Sequence, residues 1–146
     1  VASPRILKMI NKGITVERAS ESLRNFTEAG IMTHAYLMYG FPTETARETI
    51  DSLEVVRNLF ANGWIQSAFW HRYAMTIHSP SGICPESVGA KHVDQPLAPF
   101  ANNEIPFTTS QEIDLDFYGK GLNLATYNYM QGAGYDIPVK KWFNSK

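Results

Sequence analysis

Residues 34–56 read HAYLMYGFPTETARETIDSLEVV: a nearly charge-free run, a Gly-Phe-Pro corner, then apolar positions returning every three or four residues. A run of six to nine such residues is too short for a buried helix and suits a strand. Thr45 and Glu48 stand three apart, the spacing of a capping box, so the corner hands the chain directly to a helix. That helix carries Ile50, Leu53, Val56 and Phe60 on one side and Asp51, Glu54 and Asn58 on the other, and Asn62-Gly63 stops it. A second apolar run, Trp64 to Tyr73, follows at once. Two strands joined by a helix through joints this short predict a right-handed parallel crossover. The sequence therefore predicts neighbouring parallel strands over 31–39 and 64–76 with a helix over 46–61, an α/β arrangement.

The flanking segments are consistent with that frame. Ser3-Pro4 is a helix start, with Ile6, Leu7 and Ile10 apolar and Gly13 after Lys12 as its predicted end. Thr15 opens a second helix in which Ala19, Leu23 and Phe26 recur, ending at Gly30. The scarcity of charge between Ile31 and Tyr39 predicts a strand buried on both faces, with His34 as a satisfied core histidine. Residues 79–109 hold Pro80, Pro85, Pro96, Pro99 and Pro106, which predicts a long irregular connection of the kind that carries function. A last helix is predicted from Asp114 to about Gln131 with Leu115, Tyr118, Leu122, Ala125 and Tyr129 on one face, followed by an aromatic tail from Tyr135 to Phe143.

Composition narrows the function. A formal charge of −1 over 146 residues leaves no basic excess for nucleic acid, and no apolar run is long enough to span a bilayer. The single cysteine, Cys84, excludes an intrachain disulfide and a cysteine-only metal site. His71, His78, Cys84 and His92 fit no compact ligand spacing, so no metal ligands are assigned within the chain. The N-terminus is not a signal peptide, and the expected location is cytoplasmic. The chain opens without Met and enters a capped helix immediately, which gives the expectation of a piece of a longer polypeptide.

Individual residues carry two readings each. Gly40, Pro42 and Glu44 can be turn chemistry alone: a free backbone, a stiff corner and an acid at the positive end of a helix. His71-Arg72, polar on an apolar strand, is either one solvated and one paired residue, or a pair at a site mouth where the planar fork of Arg suits carboxylate or phosphate. The aromatic C-terminal end lacks accompanying Lys and Arg and reads as packing.

The stretch SPRILKMINKGIT…AGIMTHAYLMYGFPTETARETIDSLEVV resembles the second half of the radical S-adenosylmethionine barrel. It is most similar to the bacterial enzymes that often carry an N-terminal cobalamin-binding domain. Ser3, Lys12-Gly13, Ala29-Gly30-Ile31 and Gly40 to Thr45 fall where that family has its helix start, Lys-Gly ending, turn and Gly-hydrophobic-Pro corner. The resemblance covers about the first 80 residues and implies the C-terminal portion of a partial TIM-type (β/α) barrel over 1–80, with a Pro-rich loop and helical extension over 81–146. It implies an iron–sulfur oxidoreductase that cleaves S-adenosylmethionine reductively and abstracts hydrogen from an unknown small molecule. Its [4Fe–4S] cluster would sit on a C-x-x-x-C-x-x-C loop outside this chain, cobalamin is the further cofactor that enzymes of this type often bind, and its partner would be the N-terminal barrel half of the same polypeptide. Alone the chain would be inactive. Met38, Gly40, Ala74, Met75 and Thr76 would border the adenosyl group, and His71 and Arg72 the substrate. Two other classes stay open: a fragment of a barrel hydrolase or aldolase with His71 or Glu44 as acid/base, and a non-catalytic binding module.

Overall fold

The computed structural model describes residues 2–94, 103–111 and 113–143. Among the described residues five helices and two small sheets make a mixed α/β arrangement: α1 (Pro4–Met9), α2 (Val16–Glu28), β1 (His34–Tyr39), α3 (Ala46–Ala61), β2 (Ser67–Arg72), α4 (Pro80–Ile83), β3 (Ala90–His92), β4 (Phe107–Thr109) and α5 (Leu115–Met130). Short 3₁₀ turns cover Pro85–Val88 and Val139–Phe143.

The predicted crossover is present. β1 and β2 pair in parallel, His34 opposite Ser67 through Tyr39 opposite Arg72, with α3 between them in sequence. The helix begins where the capping box places it: Thr45 Oγ1 accepts from the Glu48 N–H, and Glu48 returns a carboxylate to the Thr45 N–H. Ser3, Thr15 and Asp114 cap α1, α2 and α5 by accepting from the Ile6, Arg18 and Phe117 N–H groups. The first helix stops sooner than Gly13 predicts, because Asn11 takes the left-handed conformation (φ 49°) and the Lys12 N–H closes back on the Leu7 carbonyl. Both strands are shorter than predicted: β1 begins at His34 and β2 spans Ser67–Arg72, with the Tyr73 N–H still donating to the Tyr39 carbonyl at 2.8 Å.

The parallel pair is buried on one face only, which corrects the expectation for β1. Ala35, Leu37 and Tyr39 join Ala68 and Trp70 in a core completed by Leu53, Val56 and Phe60 of α3 and Leu122, Ala125 and Tyr129 of α5. The alternate residues project from the other face, as a period of two requires. There Tyr36 is 76% and Phe69 52% exposed, and His34 and His71 are exposed beside them. His34 is thus no core residue; its Nδ1 lies 2.6 Å from Ser67 Oγ at the surface.

The segment 79–109 departs from an irregular connection. Ser79 caps α4 by accepting from the Gly82 N–H at 3.0 Å, β3 and β4 pair antiparallel, and Thr76 bridges to Glu104. Residues 95–102, with Pro96 and Pro99, lie outside the described residues. A second apolar cluster, Ile6, Phe41, Met75, Val88 and Ala90, ties α1, the corner and this segment together.

Helix α5 belongs to the principal core although the sequence places it in the extension. Gly119 and Gly121 are buried in it; a Cβ at Gly119 would collide with the Tyr39 hydroxyl, and one at Gly121 with the Phe143 ring. Trp70 Nε1 donates to Thr126 Oγ1 at 2.8 Å, both residues being 2% exposed. Thr126→Val preserves shape but strands the indole N–H, and should lower unfolding free energy in urea by about 1–3 kcal/mol. Thr126→Ser, which keeps the acceptor, should cost about 1 kcal/mol. Equal losses for the two would mean that the hydrogen bond contributes nothing.

Candidate functional site

β1 and β2 end side by side, and the segments beyond them border an open cavity of about 780 Å³. That lies within the range of about 300–1,000 Å³ usual for small-molecule sites, and strand C-termini are where parallel sheets gather ligands. One wall is the corner Gly40, Phe41, Pro42 and Glu44; a second is Arg72 to Met75. The third comes from the extension, residues 104–109 with Ile113 and Leu115.

The corner is built around Glu44, which is 1% exposed. Its Oε2 accepts from the Gly40 N–H at 2.7 Å and the Phe41 N–H at 3.2 Å, and its Oε1 accepts from Thr49 Oγ1 at 3.2 Å. Burial pushes the Glu44 carboxyl above its ordinary range, while these donors pull the other way. Gly40 has φ +79°, and a Cβ there would meet Leu115 Cδ2 at 3.0 Å. Any side chain at Gly40 is therefore strained twice, by the backbone and by Leu115.

Helix α1 braces the corner from outside. Arg5 Nε and Nη2 donate to the two oxygens of Glu48 at 2.9 and 2.8 Å, and Nη2 also reaches the Thr43 carbonyl at 2.6 Å. Ser3 Oγ donates to Glu48 Oε1 at 2.7 Å, and Ile6 packs beneath against Phe41.

Of the residues predicted to border a cofactor, Gly40, Ala74 and Met75 line the cavity, and Met38 and Thr76 are not in its lining. Met38 packs against the second apolar cluster. The Thr76 carbonyl accepts from Ser79 N–H and Oγ, and the Met75 carbonyl from the Ile105 N–H. Ala74 is exposed and lines the cavity beside the buried Met75. His71 and Arg72 separate: consecutive residues on β2 face opposite sides, so Arg72 lines the cavity while His71 lies on the open face, 6.2 Å from the Tyr36 ring. Arg72 Nη1 lies 3.4 Å from Asp116 Oδ1, both groups solvated. Glu44, with three donors on its carboxylate, shares no site with His71.

The third wall is what sequence reasoning missed. Ile105, Phe107 and Leu115 arrive from more than thirty residues away, and no local spacing announces that a three-residue strand will fold back over the ends of β1 and β2.

The Arg5 guanidinium holds the Glu48 carboxyl down at about 2. A depressed carboxylate contributes stability that is present above the ordinary value near 4.5 and lost as pH falls toward 2. Glu48→Gln should therefore cost about 1–2 kcal/mol at neutral pH, with the gap to wild type closing across that acid window in denaturation curves run at successive pH values. A gap that persists unchanged into acid would assign the loss to the capping box instead of the charge. No family model matches this chain, and no curated protein or solved structure matches it.

Proposed function

We propose that this chain is the later part of a radical S-adenosylmethionine barrel, contributing strands and one side of the adenosyl pocket to an enzyme that abstracts hydrogen from a small molecule. The observation that carries the reading is the one-sided burial of β1 and β2. Parallel sheets are normally covered on both faces, yet Tyr36 and Phe69 stand more than half exposed opposite a well-packed core. In a closed barrel that face is interior, covered by the side chains of the remaining strands. The cavity at the strand C-termini then lies at the catalytic rim.

Within this reading Gly40 and the backbone of Ala74 border the adenosyl group, and Arg72 reaches the substrate at the cavity mouth. Met38 and Thr76 support those contacts from behind, through the second apolar cluster and the Ser79 turn. His71 belongs to the barrel interior.

The residues present do not fit an iron–sulfur cluster. Cluster ligation requires several thiolates at fixed spacing, and the sequence has one cysteine, Cys84, which is exposed. Among the described residues no three His, Cys, Asp or Glu side chains converge. Cluster ligands, and any cobalamin site, fall to the upstream part of the same polypeptide.

Anaerobic reconstitution with iron and sulfide tests this division. The longer polypeptide should carry C-x-x-x-C-x-x-C upstream, turn brown and cleave S-adenosylmethionine when reduced, while this chain alone should stay colourless. A longer polypeptide lacking that motif, or stoichiometric iron and sulfide retained by the isolated chain as a monomer, would overturn the reading.

A further inference from the structure

Arg72 occupies the last paired position of β2, opposite Tyr39, and the Tyr73 N–H holds the next step of backbone to the Tyr39 carbonyl at 2.8 Å. It shares strand parity with Ala68 and Trp70, so its side chain leaves on the α5 side and not on the open face. There it meets Asp116, which follows the cavity-lining Leu115 on the first turn of α5. Among the described residues Asp116 is its side-chain partner, through one Nη1–Oδ1 contact of 3.4 Å between side chains 56% and 84% exposed. A charge-assisted hydrogen bond settles nearer about 2.8 Å. The Arg5–Glu48 pair of this chain does so twice, at 2.9 and 2.8 Å. The Arg72–Asp116 pair is thus a loose one at the cavity mouth, and most of the guanidinium N–H groups are left to solvent.

Beside this cation the lining is aromatic. Tyr73 and Phe107, both half-buried, line the cavity with ring centroids 5.7 Å apart at 69°. The Tyr73 hydroxyl has a settled direction. Ser79 Oγ donates to the Thr76 carbonyl at 2.7 Å, so Ser81 Oγ donates to Ser79 at 3.0 Å and Tyr73 donates to Ser81 at 2.6 Å. Its proton is spent within the protein, which fixes the ring. Of the acids in the lining, Glu44 is sealed with donors on both oxygens, and Glu104 enters on the segment bridged to Thr76.

Resting on the reading in which Arg72 reaches the substrate, we propose that the substrate is a small carboxylic acid with a flat apolar body. Its carboxylate takes Arg72 in place of Asp116, and its body lies against Tyr73 and Phe107. The planar fork of Arg donates to both oxygens of such a carboxylate at once, whereas Asp116 offers it one long contact. Asp116 is then a specificity residue: it competes for the guanidinium, and a ligand without an anionic group does not displace it.

The probes 3-phenylpropionate and 3-phenylpropanol share a body and differ in the carboxylate, so titrating this chain with each by NMR tests the proposal. The acid should shift the Arg72 Nε–H and the Tyr73 and Leu115 amides, and bind at least about tenfold more tightly than the alcohol. Acetate, which has the charge without the body, should bind at least about tenfold more weakly than 3-phenylpropionate. Arg72→Gln should bring the acid down to the level of the alcohol. Asp116→Asn removes the competing charge and should raise the ratio of acid to alcohol affinity about two- to fivefold; a merely structural Asp116 leaves that ratio where it is. Both side chains are more than half exposed, so the variants keep the fold. Equal affinity for acid and alcohol, acetate binding as well as 3-phenylpropionate, or a ratio unmoved by Asp116→Asn would overturn the proposal. Binding of neither probe overturns it too, and leaves the radical-enzyme reading to the iron–sulfide test, in which Arg72 takes no part.

Discussion

A carboxylate sealed from solvent, with three hydrogen-bond donors on it, fixes where β1 stops and α3 starts. Glu44 sits on the first turn of the chain after the sheet, and holding the Gly40 and Phe41 amides sets the direction in which the backbone leaves it. A buried carboxyl without such donors would cost several kcal/mol, so the burial of Glu44 and the shape of the corner depend on each other. From it follow the φ of Gly40, the placement of Phe41 over Ile6, and the cavity wall. The bidentate Arg5–Glu48 pair adds a second, solvent-side tie on the same few residues. Two acids four residues apart thus divide the work: Glu44 shapes the inside of the corner and Glu48 anchors the outside.

What the sequence made legible was local. Thr45 with Glu48, Ser3 with Pro4, and the spacing of Leu53, Val56 and Phe60 each state their structure within a few residues, and α3 falls where they put it. The Ser79-Pro80 pair repeats the Ser3-Pro4 signal and does begin α4, so that turn was readable in a segment otherwise judged irregular. β3 and β4 were not readable, because three residues are too few for alternation to register. The burial of β1 was misjudged for a different reason. Aromatic and His side chains carry no formal charge, so an exposed face built from Tyr36, Phe69, His34 and His71 has the composition of a buried one. The corner wall of the cavity was visible as Gly-Phe-Pro-Thr-Glu; the wall from residues 104–115 depends on a tertiary return that no short window contains.

The open face and the cavity lie on structurally independent parts of one small sheet. His71 and Arg72, neighbours in sequence, serve different environments because a strand turns successive side chains apart. The cavity rim carries Arg72, Ala74 and the corner, and the open face carries Tyr36, Phe69 and His71.

Gly119 and Gly121 bear on how the chain assembles. Each glycine lowers intrinsic helix stability by about 1 kcal/mol relative to alanine, so the middle of α5 is a poor place for a helix to nucleate. The same two positions admit the Tyr39 hydroxyl and the Phe143 ring, and Leu122 and Ala125 complete the core over Trp70. Helix α5 therefore gains its stability by docking on β1, β2 and α3, elements some fifty to eighty residues earlier. Such contacts require closure of a long loop before they return any free energy. The cost of loop closure therefore favours forming the crossover, whose elements are nearer in sequence, ahead of the docking of α5.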